Sequence, residues 1–130
     1  MSSVLVDTAL LRDYLHGDKR AQRALAPYMH RSICVVTWLE LMSTCPPAVL
    51  EETRSFLRTF ERLSVSESIA DEALRLTNEH PALELRRALI WACAIANRTV
   101  FLTTEPAELG ASLTGVVVPY RGKDKLPAPR

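Results

Sequence analysis

The chain has 130 residues, 48% of them hydrophobic and 24% charged, which is enough apolar content for one sizeable core and too little length for two domains. Sixteen Lys and Arg stand against fifteen Asp and Glu for a net charge of +1, so no overall basic field draws the chain to nucleic acid and only a local patch can do so. The three cysteines, Cys34, Cys45 and Cys93, are odd in number and form no CxxC pair, which excludes a disulfide framework and a zinc site of that kind.

Residues 3–6 are a short apolar run expected as a buried strand. Asp7-Thr8 follows, ahead of a helical pattern over residues 9–15 with Gly17 as its stop. Asp18 is placed to cap a second helix running to about residue 28, and residues 32–36 are β-branched enough for a second buried strand. Strands separated by helices imply a parallel sheet.

Thr37-Trp38-Leu39-Glu40 has the S/T-x-x-E spacing of a capping box, which predicts a helix ending near Thr44, before Pro46 and Pro47. A helix over 48–60, a minor strand at 63–65 and a Ser66-capped helix over 67–79 come next, the last with Ile69, Ala73 and Leu76 along one side. Residues 85–96 are apolar around most of their circumference, the mark of a central buried helix. Asn97-Arg98 turns the chain into a strand at 99–103, and a shorter strand follows at 116–118. Residues 1–120 therefore read as one domain and 121–130 as a flexible, basic, proline-containing tail. The first residues lack the regions of a signal peptide, and no apolar run approaches the roughly 20 residues of a membrane span. The expectation is a soluble, cytoplasmic protein with reduced cysteines and no membrane contact.

Gly17, Gly110, Gly115 and Gly122 fit neither the GxGxxG nor the P-loop spacing, so no nucleotide cofactor is expected. Asp7 and Glu40 both fall at strand-to-helix junctions, where open parallel sheets assemble their sites. Two carboxylates converging there suit Mg²⁺, a hard cation that takes oxygen ligands and activates water. Each acid also has a plainer reading, Asp7 as a helix N-cap and Glu40 as the return partner of Thr37 in the capping box. Cys34 and Cys93 lie in apolar runs and are expected to be packed, as are Trp38 and Trp91; His16, His30 and His80 have no ligand or triad spacing.

Four segments in order carry a family resemblance. V-L-V-D-T-A-L-L-R-D-Y-L at residues 4–15 resembles the opening of PIN domains, especially VapC-type toxins of bacterial toxin–antitoxin pairs. I-C-V-V-T-W-L-E-L-M at 33–42 resembles their second strand and acid-bearing helix, A-L-I-W-A-C-A-I-A at 88–96 their central helix, and T-V-F-L-T-T at 99–104 their last major strand. The resemblance implies a three-layer α/β/α sandwich on a central, mainly parallel sheet. It also implies a metal-dependent endoribonuclease in which Asp7, Glu40 and Glu108 hold Mg²⁺ or Mn²⁺, supported by Thr8 and Thr103. An RNA substrate, an antitoxin partner and a homodimer follow from the same resemblance. Arg12, Arg20, Arg23, Arg86, Arg87, Arg121, Lys123 and Lys125 are the basic residues that would face such an RNA.

The sequence departs from the family pattern where the chemistry lies. Arg87 stands where the family has aspartate before Ala-Leu-Ile, Ala9 stands where asparagine is common, and the T-x-N-x-x-D region reads Thr103-Thr104-Glu105-Pro106-Ala107-Glu108. An arginine among Asp7, Glu40 and Glu108 supplies fixed positive charge where the family holds a cation, so Arg87 can replace the metal. In that case no metal is bound and the chain is a catalytically silent PIN-like protein that binds a protein or RNA. Alternatively Arg87 turns outward with Arg86, and Glu84, one helical turn before Arg87, provides the missing carboxylate. A receiver domain also places acids at strand ends but needs a central aspartate and a late lysine, which residues 63–68 and 101–105 lack.

Overall fold

A computed structural model describes residues 3–109 and 114–122, apart from the side chain of Glu108. The strands are β1 (Ser3–Val6), β2 (His30–Cys34), β3 (Glu61–Leu63), β4 (Val100–Leu102) and β5 (Val116–Val117), and the helices are α1 (Thr8–Leu15), α2 (Lys19–Leu25), α3 (Val35–Ser43), α4 (Leu50–Leu57), α5 (Glu67–Glu79) and α6 (Leu85–Ala96). The strands form one sheet in the order β3-β2-β1-β4-β5, and every pairing is parallel.

Alternation along the strands divides the core into two layers. Val4 and Val6 point to one face of β1 with Ile33 and Leu102, where they pack with Leu10, Leu11, Leu25, Leu57 and Phe60. Leu5 points to the other face with Cys34 and Phe101, where α5 and α6 supply Ile69, Ala73, Leu76, Ala88 and Trp91. Side chains two apart share a face of a strand, so three consecutive apolar residues, Val4, Leu5 and Val6, are what a sheet covered by helices on both sides requires. The α/β/α sandwich is therefore present, with a sheet that is parallel throughout its described strands.

Several elements differ from their expected bounds, for local reasons. Val35 and Val36 favour strand, yet they open α3, because Cys34 is its N-cap with its Sγ accepting from the Val36 N–H at 3.5 Å. The S/T-x-x-E box at Thr37 does not form: Thr37 sits inside α3 and its hydroxyl turns to Thr8 instead. Helix 48–60 resolves into a 3-10 turn at Pro47–Val49 followed by α4, which ends at Leu57 so that the chain can enter β3 two residues before the expected strand. The second helix stops at Leu25, two residues ahead of Pro27, whose missing N–H cannot extend the helical ladder. The tail expected at 121–130 falls almost wholly outside the described residues. Among the described residues no helix is long and apolar enough to cross a membrane.

Candidate acidic site and its arginine pair

The sheet is built outward in two directions from β1: the chain first adds β2 and β3 on one side, then returns to add β4 and β5 on the other. The carboxyl ends of β1 and β4 thus flank the point where strand order reverses, which is where parallel sheets leave a crevice. Asp7 follows β1 directly and its N–H donates to the Leu102 carbonyl of β4 at 2.9 Å, fixing its backbone across that crevice.

Asp7 is 2% exposed and each of its oxygens is engaged. Oδ1 accepts from the Thr8 N–H at 2.8 Å, the N-cap bond of α1, while Oδ2 accepts from the Thr103 hydroxyl at 2.6 Å and from Arg87 Nη2 at 2.7 Å. Asp7 therefore caps α1 through one oxygen, as its N-cap reading expects, and meets the buried Arg87 guanidinium through the other. Arg87 is 3% exposed, and its Nη2 also donates to Thr103 Oγ1 at 3.0 Å. Thr103 is held in turn by the Glu105 N–H at 3.1 Å.

Glu40 lies beside this group on α3. Its Oε1 accepts from the Thr8 hydroxyl at 2.7 Å and its Oε2 from Arg86 Nη1 at 2.9 Å. A hydroxyl carries one proton, so Thr8, which gives its proton to Glu40, accepts from Thr37 Oγ1 at 2.9 Å. Arg86 reaches a second carboxylate, Glu84 Oε2, through Nε at 3.0 Å. Burial works against the charge of Arg86, but Glu40 and Glu84 more than offset it and hold its pKa above the ordinary value. Consecutive residues at the start of α6 thus serve the two acids separately, Arg87 on Asp7 inside and Arg86 on Glu40 at the rim.

This arrangement does not fit a divalent ion. A metal needs carboxylate oxygens converging on one point, whereas Asp7 Oδ2 already accepts from Arg87 and Thr103 and the Glu40 oxygens face Thr8 and Arg86. Among the described residues no group of three His, Cys, Asp or Glu side chains is placed to hold a metal. Glu84 is spent on Arg86 and is not turned to Asp7. Glu108 lies in a 3-10 turn, Ala107–Leu109, and its carboxylate is outside the described residues.

No protein-family model matches the sequence, and no curated protein does. Among solved structures, the chain is similar to one in a toxin–antitoxin complex from Klebsiella pneumoniae, with 32% identity over 92% of this chain and 99% of that one, at a TM-score of 0.85. The chain belongs to the VapC-like PIN-domain family. DNA-bound VapBC from Salmonella typhimurium gives a TM-score of 0.72 at 16% identity over 91% of this chain and 97% of that one. FitAcB from Neisseria gonorrhoeae gives 0.70 at 18% over 89% and 97%. These two share the fold.

Of the residues singled out from the sequence of this PIN domain, Asp7, Thr8, Glu40, Arg87 and Thr103 are brought together, and Glu84 joins them only through Arg86. Thr37 belongs to the same cluster through its hydroxyl. The expected RNA-facing residues scatter: Arg20 is committed to Asp18 and to the face of the Tyr120 ring, and Arg12 is exposed on α1. Sequence reasoning missed a second basic group, Arg54, Arg58 and Arg62 around Trp38. Its signal was a four-residue arginine spacing, hidden because it runs across the junction between a helix and a strand.

Proposed function

We propose that this PIN-domain protein is the toxin-type member of a toxin–antitoxin pair whose acidic site is neutralised from within, and that it acts by holding a protein partner of the antitoxin kind. The observation that carries this reading is the buried contact of Arg87 with Asp7 and Thr103. A divalent ion would have to displace a tethered cation that is already desolvated and hydrogen-bonded, at an aspartate oxygen that already accepts two bonds. The partner class is supported by the complex in which the similar Klebsiella pneumoniae chain is found.

The second reading is the Mg²⁺- or Mn²⁺-dependent endoribonuclease that family resemblance implies, with its RNA substrate and homodimer. What favours it is the rim position of Arg86, whose side chain is 49% exposed and can release Glu40 without uncovering a buried charge. Calorimetric titration with Mn²⁺, run beside an assay of single-stranded RNA cleavage in Mg²⁺ or Mn²⁺, separates the two. The expected result is no saturable heat and no metal-dependent cleavage. Cleavage by the wild type that disappears in Asp7→Asn would overturn the proposal in favour of the nuclease.

A further inference from the structure

Away from the acidic site, Arg54 of α4, Arg58 just beyond its end and Arg62 of β3 line an open groove of about 450 Å³ together with Trp38, Leu57 and Phe60. Leu57 and Phe60 form a buried apolar floor, and the Arg62 guanidinium lies 4.4 Å from the centre of the half-buried Trp38 ring. Among the described residues Arg54 forms one ion pair, with the exposed Glu51 at 3.5 Å. Among the described residues no ion pair engages Arg58 or Arg62. In a chain whose charges nearly cancel, three guanidinia share a groove in which, among the described residues, only Arg54 is ion-paired.

The groove also borders the edge of the sheet. β3 pairs only with β2, so the outer backbone N–H and C=O groups of Glu61–Leu63 have no strand partner among the described residues. An unpaired edge recognises an extended polypeptide backbone. Guanidinium forks recognise carboxylates in a planar, bidentate way. A nucleic acid would use the arginines but not the edge, and the Trp38 face it needs for stacking already carries Arg62.

We infer that this groove docks an acidic, extended protein segment, which adds to the β3 edge and sets its carboxylates on Arg54, Arg58 and Arg62. The inference rests on the reading that the chain holds a protein partner, and it says where part of that partner sits. The probe is a labelled peptide of alternating Glu and Val, followed by fluorescence anisotropy on the full chain at low and high salt, with a Lys-and-Val peptide and a labelled oligouridylate as comparisons. The expected result is saturable binding of the acidic peptide alone, weakened by salt and lost in Arg58→Glu/Arg62→Glu. Both arginines are exposed, so the double variant is expected to keep its circular dichroism; Arg58→Glu alone, which spares the Trp38 contact, is expected to weaken binding in the same direction. No binding, or binding unchanged in the variants, overturns the inference. Oligouridylate binding lost in the same variants, alone or equal to the peptide, overturns it in favour of a nucleic-acid groove. Metal-dependent RNA cleavage by the wild type would instead strike at the proposed function and leave the peptide result standing.

Discussion

Asp7 and Arg87 form a buried ion pair, Oδ2 to Nη2 at 2.7 Å, in which each partner offsets the cost of burying the other's charge. That Asp7 caps α1 follows from its place before an apolar-periodic run, and that it meets other polar groups follows from its place at the end of a strand; the structure satisfies each requirement with a different oxygen. The Thr37–Glu40 spacing misled, because a capping box and a pair of neighbours on an interior helical turn look alike in sequence, and only the position of Cys34 as the N-cap decides. The two arginines also differ in consequence. Removing one partner of a buried ion pair strands the other charge and typically costs about 3–5 kcal/mol, whereas a solvent-exposed pair is worth about 0–1 kcal/mol. Arg87→Met is therefore expected to lower the unfolding free energy by about 3–5 kcal/mol in urea denaturation, and Arg86→Ala by no more than about 1 kcal/mol. Adding Asp7→Asn to Arg87→Met is expected to recover part of the loss, because it removes the stranded charge. Equal losses for Arg86→Ala and Arg87→Met would show that burial does not distinguish them.

The elements that were legible are those whose signals are local and mutually consistent. Ser66 followed by a 3.6-residue apolar stripe gives α5 its observed bounds, and its hydroxyl accepts from the Ile69 N–H at 3.3 Å. Helix α6 was equally plain, being apolar on most sides and bounded by a turn at Asn97 and by Arg98, which adopts the left-handed conformation at φ 53°. Strands β2 and β3 were misplaced by two residues because a strand ends where its neighbours end, and that register is a tertiary property. The approach to the C-terminus was invisible for the same reason. Tyr120 donates to Asp13 Oδ2 at 2.7 Å, and Arg20 lies over its ring at 4.4 Å, pinning the segment after β5 to α1 and α2. Burial, and then the bond to Asp13, push the Tyr120 hydroxyl pKa up from its ordinary value of 10.0. A raised pKa in the folded state means that the fold favours the protonated phenol; its contribution is complete below about pH 10 and is lost as pH rises beyond it. Tyr120→Phe is expected to cost about 1 kcal/mol at neutral pH, the usual worth of one hydrogen bond. It is also expected to flatten the alkaline fall in the urea midpoint between neutral pH and pH values above about 10. A variant whose midpoint falls as steeply as that of the wild type would show that this hydroxyl is not the titrating group.

For the molecule as a whole, alternation of strand and helix announces a parallel sheet, but not its order, since nothing in the composition of β4 says that it pairs with β1 instead of β3. That order decides the site, because it brings Thr103 and Asp7 to adjoining strand ends with α6 close enough for Arg87 to reach both. The same geometry makes the site convertible. In Arg87→Asp the tethered cation becomes a second carboxylate beside Asp7, and two buried like charges repel until something neutralises them. Without metal, this variant is expected to be less stable than Arg87→Met, which strands one charge and not two. With metal, binding to the folded state alone stabilises by RT ln(1 + [L]/Kd), about 2.7 kcal/mol at a hundredfold excess over Kd. For a domain of this size that corresponds to a rise in Tm of roughly 10 °C. Differential scanning fluorimetry across a Mg²⁺ and Mn²⁺ series is thus expected to show a steep metal dependence for Arg87→Asp and none for the wild type, whose guanidinium already fills the role. A wild-type Tm that rises with Mg²⁺ as far as that of Arg87→Asp would mean that the arginine yields to the ion, and the neutralised-site reading would then fail.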